Sequence, residues 1–388
     1  MAVDIMPPGF DPAPLPTPRR PGGNQRPTAG LAWLPLLLVA LLSGCTDDTP
    51  NPPQGLFQHG VASGDPLADG ILLWTRISPS YPAPIAVRWE LALDSGFRDL
   101  VATGLVNSVA AKDFTVRVDA RGLAPDTRYY YRFLVAGQSS PIGRTRTLPA
   151  QGDSPLCFAV LAGTRDNPQR AAVHATLAQR QDLGFVLDLG EDQSLLESVP
   201  QTGAAAPLDS PTRSQVLETA RRRFADVRRD PDLQSLHQRL PWIGIWNREV
   251  TAERPNGSGQ AWSSALLQAY LEWMPLRPPA ERANWEAYRA FDIGNLFRLY
   301  LLETQLSNGH PELRPEEYLD PVSGELDHHR LLAHRMDPNR HILGISQTQW
   351  VHEQLIGSRT RWQLIASPRP FAPFEVPLAL WNASLDSH

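Results

Sequence analysis

The chain has 388 residues with 42% hydrophobic and 20% charged content, enough for a packed core and more than one domain. A net charge of −5, with Lys112 the only lysine, excludes a general nucleic-acid-binding surface. Two cysteines, Cys45 and Cys157, exclude a disulfide scaffold and a cysteine-based zinc site.

The first segment reads as a targeting signal. Leu31–Leu42 is an uncharged apolar run, too short to span a bilayer, which takes about 20 residues. Leu42-Ser43-Gly44-Cys45 follows it, with small residues directly before a thiol. This pattern resembles a bacterial lipobox, which implies acylation of Cys45 and a membrane-anchored, extracytoplasmic protein at the outer membrane or its periplasmic face. Residues 1–45 are therefore read as a lipoprotein signal peptide. Residues 46–56, containing Pro50, Pro52 and Pro53, are read as a tether.

Residues 57–148 read as all-β. Alternating runs at Ile71–Arg76, Ile85–Leu93, Thr115–Asp119 and Tyr129–Val135 are separated by Gly, Asp, Pro and Ser clusters. The turn Ala124-Pro125-Asp126-Thr127 before Tyr129 is similar to one in fibronectin type III sandwiches.

Residues 155–388 change pattern. Apolar runs Cys157–Ala162, Phe185–Leu189, Trp242–Trp246, Leu296–Leu302 and Trp362–Ala366 predict buried strands. Helices lie between them. One is opened by Ser210-Pro211 and buries Val216, Ala220, Phe224 and Val227. A second carries Trp262, Leu266, Tyr270 and Met274. A third begins with a capping box at Ser346 and Gln349 and buries Trp350 and Leu355. Arg221, Arg222, Arg223, Arg228 and Arg229 are placed mostly on a solvent face. Strands alternating with helices predict a layered α/β domain with its site in the loops past the strand ends.

Four strings in the first domain carry a resemblance: Phe57-x-x-Gly60-Val61-Ala62-Ser63-Gly64-Asp65-Pro66, Leu73-Trp74-Thr75-Arg76, Tyr129-Tyr130-Tyr131-Arg132-Phe133 and Gly143-Arg144-Thr145-Arg146-Thr147. Three more follow in the second: Asp230-Pro231-Asp232-Leu233, Glu272-Trp273-Met274-Pro275-Leu276-Arg277, and Leu343-Gly344-x-x-Gln347-x-x-Trp350. Together they resemble the PhoD-type alkaline phosphatases. The resemblance implies a metallophosphoesterase-like α/β domain behind a fibronectin-like sandwich, and hydrolysis of phosphate esters by a metal cluster. It implies calcium or another divalent cation, or iron; the residues themselves specify no cofactor.

The family's ligand positions are poorly kept. Its Ser-Cys is Gly163-Thr164 here. Its Leu-Gly-Asp is Leu189-Gly190-Glu191-Asp192, with Ser194 in place of a ligand tyrosine. Its Asp-Asp-His-Glu is Asn247-Arg248-Glu249, so Arg248 stands at the position of the catalytic histidine. A guanidinium can grip a phosphate but neither ligates a metal nor titrates near neutrality. No Gly-Asp-x-His segment follows the Trp362 strand before His388. His328, His329 and His334 fall in a surface-like segment.

Glu191, Asp192 and Asn247 are the metal-ligand candidates, and Arg248 is the candidate for contact with substrate. The chain reads as a phosphate-ester hydrolase framework that has lost most of its ligands, with an active enzyme on an abbreviated site as the alternative. Its partners are a phosphate ester or other anionic ligand and, through the anchor, a membrane. Gly163, Glu191 and Asn247 are expected at neighbouring strand ends opening into one cleft, with Arg248 turned toward Glu191 or Asp192.

Overall fold

A computed structural model describes residues 55–152, 155–162, 170–190, 212–246, 258–278, 287–304, 313, 315–320 and 323–369. The first domain is a sandwich of short strands. One face holds β1 (Val61–Gly64), β2 (Gly70–Arg76) and β5 (Thr115–Arg121), all antiparallel in sequence-order 5-2-1. The other holds β3 (Ile85–Ala92), β4 (Leu100–Ser108), β6 (Arg128–Val135), β7 (Gln138–Ser139) and β8 (Gly143–Arg146).

Alternation puts Tyr129, Tyr131 and Phe133 inward against Ile71, Leu73, Val87 and Val116. Each such side chain contributes roughly 1.5–3 kcal/mol by leaving water. The Ala124 N–H donates to the Tyr129 hydroxyl at 2.9 Å, a tyrosine corner that closes the turn into β6.

The second domain is layered. Parallel strands β9 (Cys157–Leu161), β10 (Leu183–Asp188) and β11 (Trp242–Gly244) lie side by side. One face is covered by α1 (Arg170–Gln179), α2 (Arg213–Val227), α3 (Pro231–Arg239) and α4 (Ser258–Trp273), through a core including Val216, Phe224, Leu236, Trp242, Tyr270 and Trp273. The other face packs on a smaller sheet of β12 (Arg289–Ile293), β13 (Phe297–Leu301) and β14 (Trp362–Ala366). The remaining helices are α5 (His328–Arg335) and α6 (Gly344–Gly357). Among the described residues, no helix is long and apolar enough to cross a membrane.

The two domains share a sheet. β1 pairs in parallel with β11, with Gly64 opposite Trp242, so the sheet runs β5-β2-β1-β11-β10-β9 through both. Close approach requires glycine there: a Cβ on Gly64 would stand 2.1 Å from the Pro275 carbonyl oxygen.

Several sequence expectations are corrected. Thr212 caps α2, in a reciprocal capping box with Gln215, in place of Ser210. α6 starts at Gly344, whose φ of +70° favours glycine, and its N-cap Leu343 makes no side-chain cap. Ser346 therefore lies inside the first turn, and Gln347 and Val351 are buried while Trp350 and Leu355 are half-buried.

Two of the five arginines placed on the solvent face are not there. Arg228 is buried over the Trp74 ring and donates to the Trp273 carbonyl at 2.9 Å. Arg221 makes a bidentate pair with Glu272, both bonds at 2.7 Å. β14, expected to be buried, leaves Trp362 at 61% exposure, because it is an edge strand of its sheet.

Candidate functional site

The carboxyl ends of five strands gather at one rim. Asp188, the last residue of β10, is level with Leu161 of β9 and Gly244 of β11. On the smaller sheet Arg289 opens β12 opposite Leu301, which is itself level with Ala366 of β14. The Arg289 guanidinium crosses between the sheets: its Nη2 donates to the Gly244 carbonyl at 2.8 Å. The ends of β9, β10, β11, β13 and β14 therefore open on the same side, where an α/β sheet carries its ligands.

Residues 163, 191 and 247 follow β9, β10 and β11 within three positions of their ends. These strands are neighbours in the order expected. Gly163, Glu191, Asp192, Asn247 and Arg248 lie outside the described residues, as does the expected approach of Arg248 to the two carboxylates. Cys45 also lies outside them.

Two acidic side chains not singled out by the sequence sit on the described rim. Asp188 is fully buried and accepts from the Gly190 N–H at 2.9 Å, an interaction shaped by the positive φ of Gly190. Glu303, just past β13, is also buried. Gln347 of α6 clamps its backbone, accepting from the Glu303 N–H at 2.8 Å and donating to its carbonyl at 2.6 Å. Each ends an uninterrupted apolar run with a charge, a signal of a strand terminus that could have been read from sequence.

Beside them lies an ionic junction. Asp65, with φ of +42°, accepts from Arg289 Nη2 at 3.0 Å and from the Arg277 N–H at 2.6 Å. Arg277 also bonds the Asp65 carbonyl and reaches Asp119 at 2.7 Å. Burial raises the Asp65 pKa, and the two arginines oppose that rise. Arg289 is thus committed to holding β1, β11 and β12 together at the rim.

The histidines of α5 lie elsewhere in the chain's structure. His328 and His329 are exposed, and His334 Nδ1 pairs with the Tyr318 hydroxyl at 2.8 Å. Among the described residues no group of three or more His, Cys, Asp or Glu converges as a metal site. The donor set available from the sequence does not fit a family-type cluster either: Gly163 offers no side chain, and the Arg248 guanidinium repels a cation.

A fibronectin-like sandwich sharing its sheet with a helix-covered, two-sheet α/β domain defines a metallophosphoesterase-like protein of the phosphatase type. Residues 44–149 match the PhoD-like phosphatase N-terminal domain and residues 158–386 match the PhoD-like phosphatase domain; the chain belongs to this family. It is 31% identical over 357 residues to alkaline phosphatase D of Bacillus subtilis, covering 86% of this chain and 58% of that protein. A solved structure of PhoD superposes with a TM-score of 0.64 at 28% identity, covering 81% of this chain and 63% of the other. A purple acid phosphatase from yellow lupin seeds gives a TM-score of 0.45 at 11% identity, covering 80% of this chain and 51% of its own. The chain spans about three fifths of the length of the PhoD relatives it matches.

Proposed function

We propose that this chain is a non-hydrolytic, lipid-anchored cell-envelope member of the PhoD-like phosphatases, a pseudoenzyme that binds an anionic or phosphorylated ligand. One observation carries the reading. The strands that present ligands in such a fold are in place and adjacent, yet two of the positions following them hold Gly163 and Arg248. Phosphate-ester hydrolysis with a metal needs a Lewis acid to polarise the phosphoryl group and lower the pKa of water. Glycine supplies no donor for such an ion, and arginine cannot ligate it or act as an acid near neutrality. Arg248 can still donate two parallel hydrogen bonds to a phosphate.

The test is turnover of a chromogenic phosphate ester by the purified protein with calcium, iron, manganese or zinc. No metal-dependent turnover supports the reading. Turnover abolished by Glu191→Gln or Asn247→Ala would instead establish the second reading, an active phosphoesterase on an abbreviated site. The buried carboxylates Asp188 and Glu303 at the rim favour that alternative.

Anchoring is the other half of the proposal, resting on the apolar run that ends at Cys45. Cys45→Ala should accumulate unprocessed precursor and lose labelling by a fatty-acid probe. Normal processing and labelling in that variant would remove the lipoprotein.

A further inference from the structure

Three arginines lie near one another on the outside of the molecule, and among the described residues none of the three makes an ion pair. Arg128 lies on β6 and Arg144 on β8, whose pairing sets Arg128 opposite Arg146 and Tyr130 opposite Arg144. Arg128 and Arg144 are thus diagonal cross-strand neighbours, about 7–8 Å apart at the backbone. Arg239, at the end of α3, joins them through its carbonyl, which accepts from Arg144 Nε at 3.3 Å. The other Arg144 bond is to the neutral Gln181 side chain, at 2.8 Å.

Arg128 and Arg239 are exposed and have no acidic partner among the described residues, whereas Arg146 pairs with Asp126 and Arg132 with Glu90. Partial burial lowers the Arg144 pKa, and the charges of Arg128 and Arg239 lower it further. Ile142, 38% exposed, and half-buried Tyr130 add an apolar and an aromatic group to the same patch.

The position of the patch matters. Gln181 precedes β10 and Arg239 precedes β11, so the cluster lies at the amino ends of the parallel strands. The candidate site lies at their carboxyl ends. We infer that Arg128, Arg144 and Arg239 form a docking surface for an anionic phospholipid bilayer, which turns the candidate site away from the membrane. Charge complementarity selects this occupant, because the chain as a whole is at −5 and only local cations can approach an anionic surface. Exposed Ile142 and half-buried Tyr130 suit the headgroup boundary.

The inference rests on the anchored reading, but its test uses a chain that carries no lipid. A chain starting at Thr46 keeps every described residue, 55–369. Sedimentation with phosphatidylglycerol vesicles is compared with phosphatidylcholine vesicles. Binding is expected only to the former, and is lost at about 0.5 M salt, where screening is short-ranged.

R128Q/R239Q should weaken partitioning about tenfold or more. The charge-matched control R222Q/R223Q, on the exposed side of α2, should stay within about twofold of the parent, since a surface contact falls off within a Debye length. No binding to phosphatidylglycerol vesicles, or an equal loss in both variants, overturns the inference. Binding to heparin without binding to vesicles also overturns it, assigning the patch to a soluble polyanion. Acylation of Cys45 is measured separately in cells, so failure of the anchor and failure of the patch are distinguishable.

Discussion

Asp65 of the sandwich and Arg289 of the layered domain form an ion pair at 3.0 Å, and the same Arg289 nitrogen holds the Gly244 carbonyl at the end of β11. Asp65 is 1% exposed, so the pair is a buried tie between the two domains at the rim of the candidate site. Removing Arg289 leaves the buried Asp65 carboxylate with only its Arg277 contacts. Arg289→Ala should lower unfolding stability by about 3 kcal/mol or more, read from denaturant midpoints. Asp65→Asn should cost less than Arg289→Ala, because a neutral amide still bonds and the carboxylate's burial cost disappears. Equal costs would show that Arg289 acts only through Asp65.

The Arg221–Glu272 pair makes a second prediction. Both side chains are mostly buried, at 18% and 8% exposure, and Gln268 adds a bond to the same carboxylate at 2.8 Å. Arg221→Ala should cost about 2–3 kcal/mol, as for a hydrogen bond to a charged group left unmade. Arg222→Ala, one residue along α2 and exposed, should change stability by less than about 0.5 kcal/mol. Thermal unfolding of the two variants separates them. Similar shifts would show that the Arg221 pair is worth no more than a surface one.

A third concerns close packing at the domain junction. A Cβ at Gly64 would meet the backbone oxygens of Pro275 at 2.1 Å and of Trp242 at 2.8 Å, and neither can swing aside. Gly64→Ala should therefore cost at least about 3 kcal/mol by overpacking and loosen β1 from β11. Gly357→Ala, with open space around its Cβ at the end of α6, should be neutral or stabilising by up to about 1 kcal/mol. Hydrogen exchange of the β1 and β11 amides reads the loosening directly. Unchanged protection in Gly64→Ala would show that the junction does not depend on this glycine.

Much of this architecture was legible because apolar periodicity survives in the strands that build the cores. The expected strand Trp362–Ala366 coincides with β14, and those at Ile71, Ile85, Thr115 and Cys157 differ at their ends by a residue or two. β4 escaped notice because its residues are largely exposed and Gly104 interrupts it, where a side chain would strike the Trp89 ring. β1 escaped because Val61-Ala62-Ser63-Gly64 is buried on both faces and does not alternate. The sharing of one sheet between domains had no local signal, since it depends on a contact between residues 64 and 242. Burial of Arg228 was equally hidden, because a guanidinium over Trp74 is decided by long-range packing. The strand ends were legible, Asp188 and Glu303 among them as charges closing apolar runs, but the crossing of Arg289 between the two sheets was not, because it depends on how the sheets face one another.

The last prediction concerns acid sensitivity. His59 is 2% exposed, packs edge-on against Trp273 with ring centroids 5.1 Å apart, and neither ring nitrogen has a hydrogen-bond partner among the described residues. Burial, followed by the charges of Arg76, Arg229 and Arg228, lowers its pKa from 6.5 to about 3. A folded-state pKa below the unfolded value means that the unfolded chain takes up the proton first. The stability associated with neutral His59 is therefore present above about pH 6.5 and is lost as pH falls from 6.5 toward 3. Within that window a single group contributes a slope of up to about 1.4 kcal/mol per pH unit. His59→Phe keeps the edge-on aromatic contact and removes the titration. Its urea midpoint at pH 7 should match or exceed that of the parent, and its loss of stability between pH 6 and pH 4 should be shallower by about one proton. His237, buried against Trp242 with a pKa also pushed down by burial, keeps the same direction of response, so acid sensitivity should fall without vanishing. Parallel stability curves for parent and variant would show that His59 already takes up its proton in the folded protein, contrary to its buried ring.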